Sequence, residues 1–183
     1  MNFNSQREIK MSNQKLSDTT IAKPADMVGM DVLVAGYQDE QKAEARKTFT
    51  RMIEMFESLA EKLGVDAYDM GSASAALIAG CYAAYHNREL PAEYFKPLAR
   101  QMKIVLAVDP KFAGMSMTEK QGMYHILVGA GVFLTMAQME NMKNKNPQVA
   151  AQLKEAGKEF LSKFAQMDIR HVKLDENGLR EIE

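Results

Sequence analysis

The stretch DMGSASAALIAGCYAAYHN, Asp69 to Asn87, decides the fold. Ala73, Ala76, Gly80 and Ala83 fall at i, i+3, i+7 and i+10, which at 3.6 residues per turn makes one helix face almost free of side-chain bulk. Another helix can approach such a face closely. Its partner is the segment from Thr118 to about Met142, where Gly122, Gly129 and Gly131 each lower helix propensity by about 1 kcal/mol relative to alanine, a loss that tight packing offsets. These two segments, the second and fourth of about five main helices, are read as the centre of the fold.

Working outward, Phe49, Met52, Ile53, Phe56, Leu59, Ala60 and Leu63 keep helical spacing from Gln38 to Leu63, with Arg51, Glu54, Glu57 and Glu61 opposite and Gly64 as the stop. Met27 to Tyr37 adds a short helix or docking segment. Residues 1–25 are polar, lack apolar periodicity and end near Lys23-Pro24, so they read as a flexible lead-in to a single helical domain over 26–183. A third helix carries Phe95, Leu98, Ala99, Met102, Val105 and Leu106 as its buried stripe and ends at Asp109-Pro110, while Pro91 and Pro97 impose a bent or two-stage start. The fourth helix begins at a capping box, either Ser116 with Glu119 or Thr118 with Gln121. Asn146-Pro147 opens a fifth helix with a stripe of Val149, Leu153, Ala156, Phe160, Phe164 and Met167. In the tail, alternating Val172 and Leu174 before Asn177-Gly178 indicate a short β-hairpin. The fold class is therefore all-α, with a small C-terminal hairpin.

A chain of 183 residues, 46% hydrophobic, is long enough for one self-sufficient core. Twenty-three Lys and Arg against twenty-four Asp and Glu generate no large positive field, so neither nucleic acid nor anionic lipid is an expected partner. Lys143 and Lys145 are a solvated loop pair. The longest apolar run, Ile126 to Ala137, falls short of the ~20 residues that cross a bilayer and reads as a buried helix. One cysteine, Cys81, sits among small residues as a buried inert thiol and excludes an internal disulfide. No N-terminal stretch has the pattern of a signal peptide, which suits a cytoplasmic or a processed protein.

Reactive chemistry finds little support in the spacings. A helical di-iron centre needs Glu three residues before His on two helices, and none of His86, His125 or His171 has it. His86 with Glu89 matches no zinc motif, and Gly71-Ser72-Ala73-Ser74 lacks the strand of a nucleophile elbow, so these hydroxyls read as first-turn residues. A phosphate loop is absent as well. Fifteen methionines and no tryptophan raise a cuprous site at Met115 and Met117 or at Met136, Met139 and Met142, but thioethers filling core gaps account for them more simply. The expectation is a non-enzymatic protein with no cofactor and no metal.

The candidate binding residues lie at the junction between the second and third helices. Tyr82, Tyr85 and His86 share one helix end, and Tyr94, Phe95 and Lys96 open the next helix. Tyrosines are common in binding hot spots, and the competing reading places the same rings in the core.

The pattern Gly80-x-Tyr82-x-Ala84-Tyr85, Pro91, Phe95-Lys96-Pro97-Leu98, Gln101-Met102 and Asp109-Pro110-x-Phe112, followed by the glycine-bearing fourth helix, resembles a proteobacterial family of helical proteins of unknown biochemical function. The resemblance covers roughly 49–164. It implies a non-catalytic periplasmic protein that binds a protein partner in the cell envelope or secretion apparatus, as an accessory factor of type VI secretion. It carries over no catalytic residue. Three rivals are kept: a small-molecule or lipid-binding helical module, with an apolar cavity between the second and fourth helices as its signature; a secreted effector or immunity partner; and an enzyme with convergent acid and base groups. The small residues of the two central helices argue for closed packing.

Overall fold

The computed structural model describes residues 16–166 and 168–182. Its helices are α1 (Met30–Val34), α2 (Asp39–Leu63), α3 (Met70–His86), α4 (Phe95–Ala107), α5 (Pro110–Ala113), α6 (Met117–Lys143) and α7 (Pro147–Phe160), followed by the hairpin β1 (Val172–Asp175) and β2 (Gly178–Glu181). The two shortest are single turns, which leaves five main helices and one small hairpin, as the sequence pattern predicts.

Helix ends follow local chemistry. The Asp69 carboxylate accepts the Gly71 and Ser72 amides to start α3. Asn87, in the left-handed region at φ 49°, ends it. Gly64 does the same for α2 at φ 67°. Of the two capping boxes available, Ser116 with Glu119 is the one formed. After Pro91 a 3-10 turn, Ala92–Tyr94, leads directly into α4, which is the two-stage start that the prolines require.

The central helix is α3, buried on nearly every side. It runs parallel to α6, since partners climb together: the Tyr68 and Tyr124 rings lie 6.1 Å apart, Gly80 backs on Gly131, and Asn87 pairs with Gln138. A Cβ at Gly80 would stand 2.3 Å from Gly131 O, and one at Gly131 would stand 2.4 Å from Ala76 O. Only the absence of side chains allows this crossing. On its other sides α3 meets α7, whose Gly157 abuts the Cys81 carbonyl, and α4, whose Ala99 and Lys103 backbone abuts Gly71. Helix α2 packs on α6 through Phe49 and Phe133, rings 5.9 Å apart. By length and composition α6 is the one helix among the described residues able to cross a membrane, and more than half of its apolar window is buried in the domain, as in a core helix.

Four local expectations are corrected. Residues 1–15 of the flexible lead-in lie outside the described residues, but Ser17 to Ile21 are docked: Ser17 N donates to Ala107 O, Ile21 N to Tyr68 O, and Met70 N to Thr19 O, with Thr19 and Ile21 buried. Leu59, in the apolar series of α2, is 47% exposed, and Val105, in the buried stripe expected of the third helix, is exposed as well. The α-helical part of the fifth helix stops at Phe160 and continues as one π turn, Leu161–Ala165; the Phe164 side chain and Met167 lie outside the described residues. The hairpin pairs Asp175 with Gly178, so its turn residues are Glu176 and Asn177, one position earlier than expected. Gln101 holds it by accepting the Leu179 amide at 2.8 Å and donating to the Leu179 carbonyl at 2.6 Å.

Candidate functional site

The aromatic junction does not present one surface. Tyr82 is 4% exposed and belongs to the core, so it is not available as a contact residue. Its ring lies 4.2 Å from that of His86, with the Arg88 guanidinium 5.1 Å away. Tyr85 turns toward α7, where the Lys154 ammonium sits 5.0 Å from its ring. His86 is exposed, and partial burial together with the Arg88 and Lys154 charges lowers its pKa. Tyr94 and Phe95 turn instead toward α2, with the Phe95 ring 6.2 Å from that of Phe56. A Cβ at Gly64 would meet Lys96 Nζ at 3.1 Å, which puts that ammonium at the C-terminal end of α2, where a cation is favoured by the helix dipole.

Beside the α3–α6 crossing the same elements enclose a cavity of about 550 Å³. Helix α3 contributes Ala76, Ala79 and Ala83, and α6 contributes Gly131, Val132, Met136 and Met139. Met55, Leu59 and Leu63 come from α2, and residues 88–92, Tyr94 and Phe95 after α3, Leu98 of α4 and Leu174 of β1 add to the lining. Solvent reaches the cavity past Met55, 52% exposed, Leu59, and Met136 and Met139, each 40% exposed. Volumes of roughly 300–1,000 Å³ with mostly apolar walls are those of ligand pockets. The physical origin is the same stripe that closes the crossing: where α3 touches α6 the small residues bring backbones together, and where α3 faces α2 they leave space unfilled.

Few polar groups enter the lining. The Thr135 and Ser58 hydroxyls donate to the carbonyls of Gly131 and Glu54 on their own helices, at 2.9 and 3.5 Å, and neither is bonded to a histidine or carboxylate. Gln138 is fully buried; its Nε2 donates to Asn87 Oδ1 at 2.8 Å, while its Oε1 has no partner among the described residues. Lys62 and Arg88 line the cavity without an ion pair among the described residues, and Glu89 is the one carboxylate there. No group of three or more His, Cys, Asp or Glu suited to a metal occurs among the described residues. Burial pushes the Cys81 thiol up to about 12, so it is inert.

Of the sequence-predicted contact residues, Tyr94 and Phe95 line the cavity, whereas Tyr82, Tyr85, His86 and Lys96 do not. The sequence reading missed Ala79, Met55, Met136, Met139 and Gln138 as lining residues. A signal existed: α2 carries Met55 and Leu59 beyond the apolar residues its buried stripe uses, and Met136 with Met139 extends α6 in the same way.

Fold and site together define a helical domain built around a small-residue helix pair with an apolar cleft at its side. The chain belongs to a family of unknown function, DUF6683, whose model matches residues 4–181. This agrees with the resemblance at its coarser level, a family without an assigned biochemical function. No curated protein and no solved structure matches the chain.

Proposed function

We propose that this protein is a non-enzymatic binding protein that holds an apolar molecule in the cleft between α2, α3 and α6. The observation that supports this reading is the cavity itself, about 550 Å³ in a position where ridge-and-groove packing would otherwise have placed side chains. Exposed methionines at its mouth suit the role, because a flexible, polarizable thioether adapts to apolar shapes. The test uses Nile red, an uncharged apolar dye, with the full chain and an Ala79→Phe variant. Ala79 is only half-buried because it faces the cavity, so a phenyl ring there extends into the space. Saturable one-site binding that drops at least tenfold in the variant, with unfolding midpoints unchanged, is expected. Absence of saturable binding, or binding indifferent to the phenyl ring, overturns the reading.

The family resemblance supports a second reading, a periplasmic interaction role accessory to type VI secretion. The observation in its favour is the half-buried Tyr85 and exposed His86 beside Lys154, side chains that do not line the cleft. Capture of secretion components by the tagged chain, lost in Tyr85→Ala and in a strain lacking type VI secretion genes, is its expected outcome. Equal recovery by the variant sinks it.

A further inference from the structure

We infer that the ligand of this cleft is a free, single-chain amphiphile with an anionic head group, of the fatty-acid type. The inference rests on the cleft reading above and adds the chemical class. The apolar part follows from the lining, and the head group follows from charge: the lining holds two cations, Lys62 and Arg88, and one carboxylate, Glu89, in a chain that is otherwise balanced at a net charge of −1. Neither cation has an acidic partner among the described residues, so both are free to meet a ligand anion.

A second, independent observation comes from the wall next to Arg88. Asn87 and Gln138 share one hydrogen bond, and the remaining amide atom of Gln138, a fully buried side chain of the cleft, is unpaired. An unpaired buried amide group is costly, and turning both amides over keeps their mutual bond while offering an N–H in place of the C=O. The polar corner at Asn87 and Arg88 is thus short of a hydrogen-bonding partner, which a carboxylate head at the end of an alkyl chain can supply.

A bilayer is disfavoured as occupant, since a net charge of −1 gives the protein no long-range attraction to anionic lipid.

The experiment is calorimetric titration of the full chain with decanoate, decanol and decyltrimethylammonium, chain-matched and below their micelle concentrations, at neutral pH. Decanoate should bind tightest, and its advantage should shrink as salt is raised. Lys62→Gln and Arg88→Gln should each weaken decanoate by up to about fivefold and leave decanol unchanged, since rim ion pairs are of that order. Arg88→Lys should retain most of the affinity, which separates the charge from contact with the Tyr82 ring. Equal affinity for all three heads, or variants that weaken all three alike, refutes the anionic class and leaves the cleft reading standing. Failure of all three to bind refutes both. Binding to phosphatidylglycerol vesicles without binding to monomeric decanoate overturns the choice of a free amphiphile.

Discussion

Replacing Gly131 with alanine should destabilise the protein, whereas the same change at Gly122 on the same helix should not. In both places the substitution removes the helix-propensity penalty of glycine, about 1 kcal/mol. The surroundings then decide the sign. At Gly122 the new methyl would lie 3.2 Å from Val28 Cγ1, a side-chain atom that can turn aside. At Gly131 it would lie 2.4 Å from both C and O of Ala76 and 2.6 Å from Leu77 N, all backbone of the most buried helix. Restoring ordinary carbon contact at about 3.5 Å requires α3 and α6 to part by about 1 Å. Such overpacking costs about 1–3 kcal/mol, and rigid backbone on both sides puts this case at the upper end. After the propensity gain, Gly131→Ala should lose about 2 kcal/mol and Gly122→Ala should gain up to about 1 kcal/mol, a gap of about 3 kcal/mol. At this chain length the gap corresponds to roughly 6–12 °C in Tm. Urea unfolding followed by far-ultraviolet circular dichroism measures both, with equal m-values as the check that only native stability has changed. If the two variants unfold within about 0.5 kcal/mol of each other, the crossing is not the close backbone contact described here.

Three further outcomes are expected. Tyr124→Phe removes a buried hydroxyl that has no partner among the described residues while keeping the ring packed on Tyr68 and His125, so stability should be unchanged or rise by up to about 1 kcal/mol; a loss greater than that would mean the hydroxyl is bonded in solution. Asp69→Ala strips α3 of its cap, Thr19 of its acceptor and Lys103 of its ion pair at 3.1 Å, and should cost about 2–3 kcal/mol in denaturant unfolding, a drop under 1 kcal/mol contradicting the role of Asp69 as the tie between the 17–21 segment and the core. His125 is buried with Nδ1 at 2.8 Å from Val28 O, and burial lowers its pKa below the ordinary 6.5. The unfolded chain therefore takes up this proton first as pH falls, so this contribution to stability is full well above pH 6.5 and declines as pH falls through 6.5 toward the folded pKa. His86 is shifted in the same direction, so the measurement belongs in a His86→Gln background; a flat profile between pH 7.5 and 5.5 would show that His125 takes up its proton in the folded state as readily as in the unfolded one.

The helices were legible because their determinants are local. Ser116 with Glu119, Asn146-Pro147 and Gly64 mark ends through hydrogen bonds and backbone angles that span at most one turn, and the sequence carries them openly. The docking of Ile21 was not legible, because its support is Tyr68 and the Thr20–Asp69 bridge, far along the chain, and nothing periodic in a polar stretch announces it. Tyr82 and Tyr85 look equivalent in sequence, yet one is core and the other faces Lys154, since a fully surrounded helix such as α3 has almost no exposed side for its ring positions to choose. The cleft was half visible, in a small-residue stripe and in apolar residues that exceed what α2 and α6 bury.

The sequence alone settles that the chain is helical, where its main helices begin, and that α3 and α6 can meet through glycine and alanine, because propensity, capping and the absence of side-chain bulk are properties of neighbouring residues. Only the tertiary structure decided that the same stripe, where α3 faces α2, leaves a space rather than a second close contact. A void belongs to no residue: it is the difference between the room that α2, α3, α6 and the turn after α3 enclose and the side chains they bring to fill it.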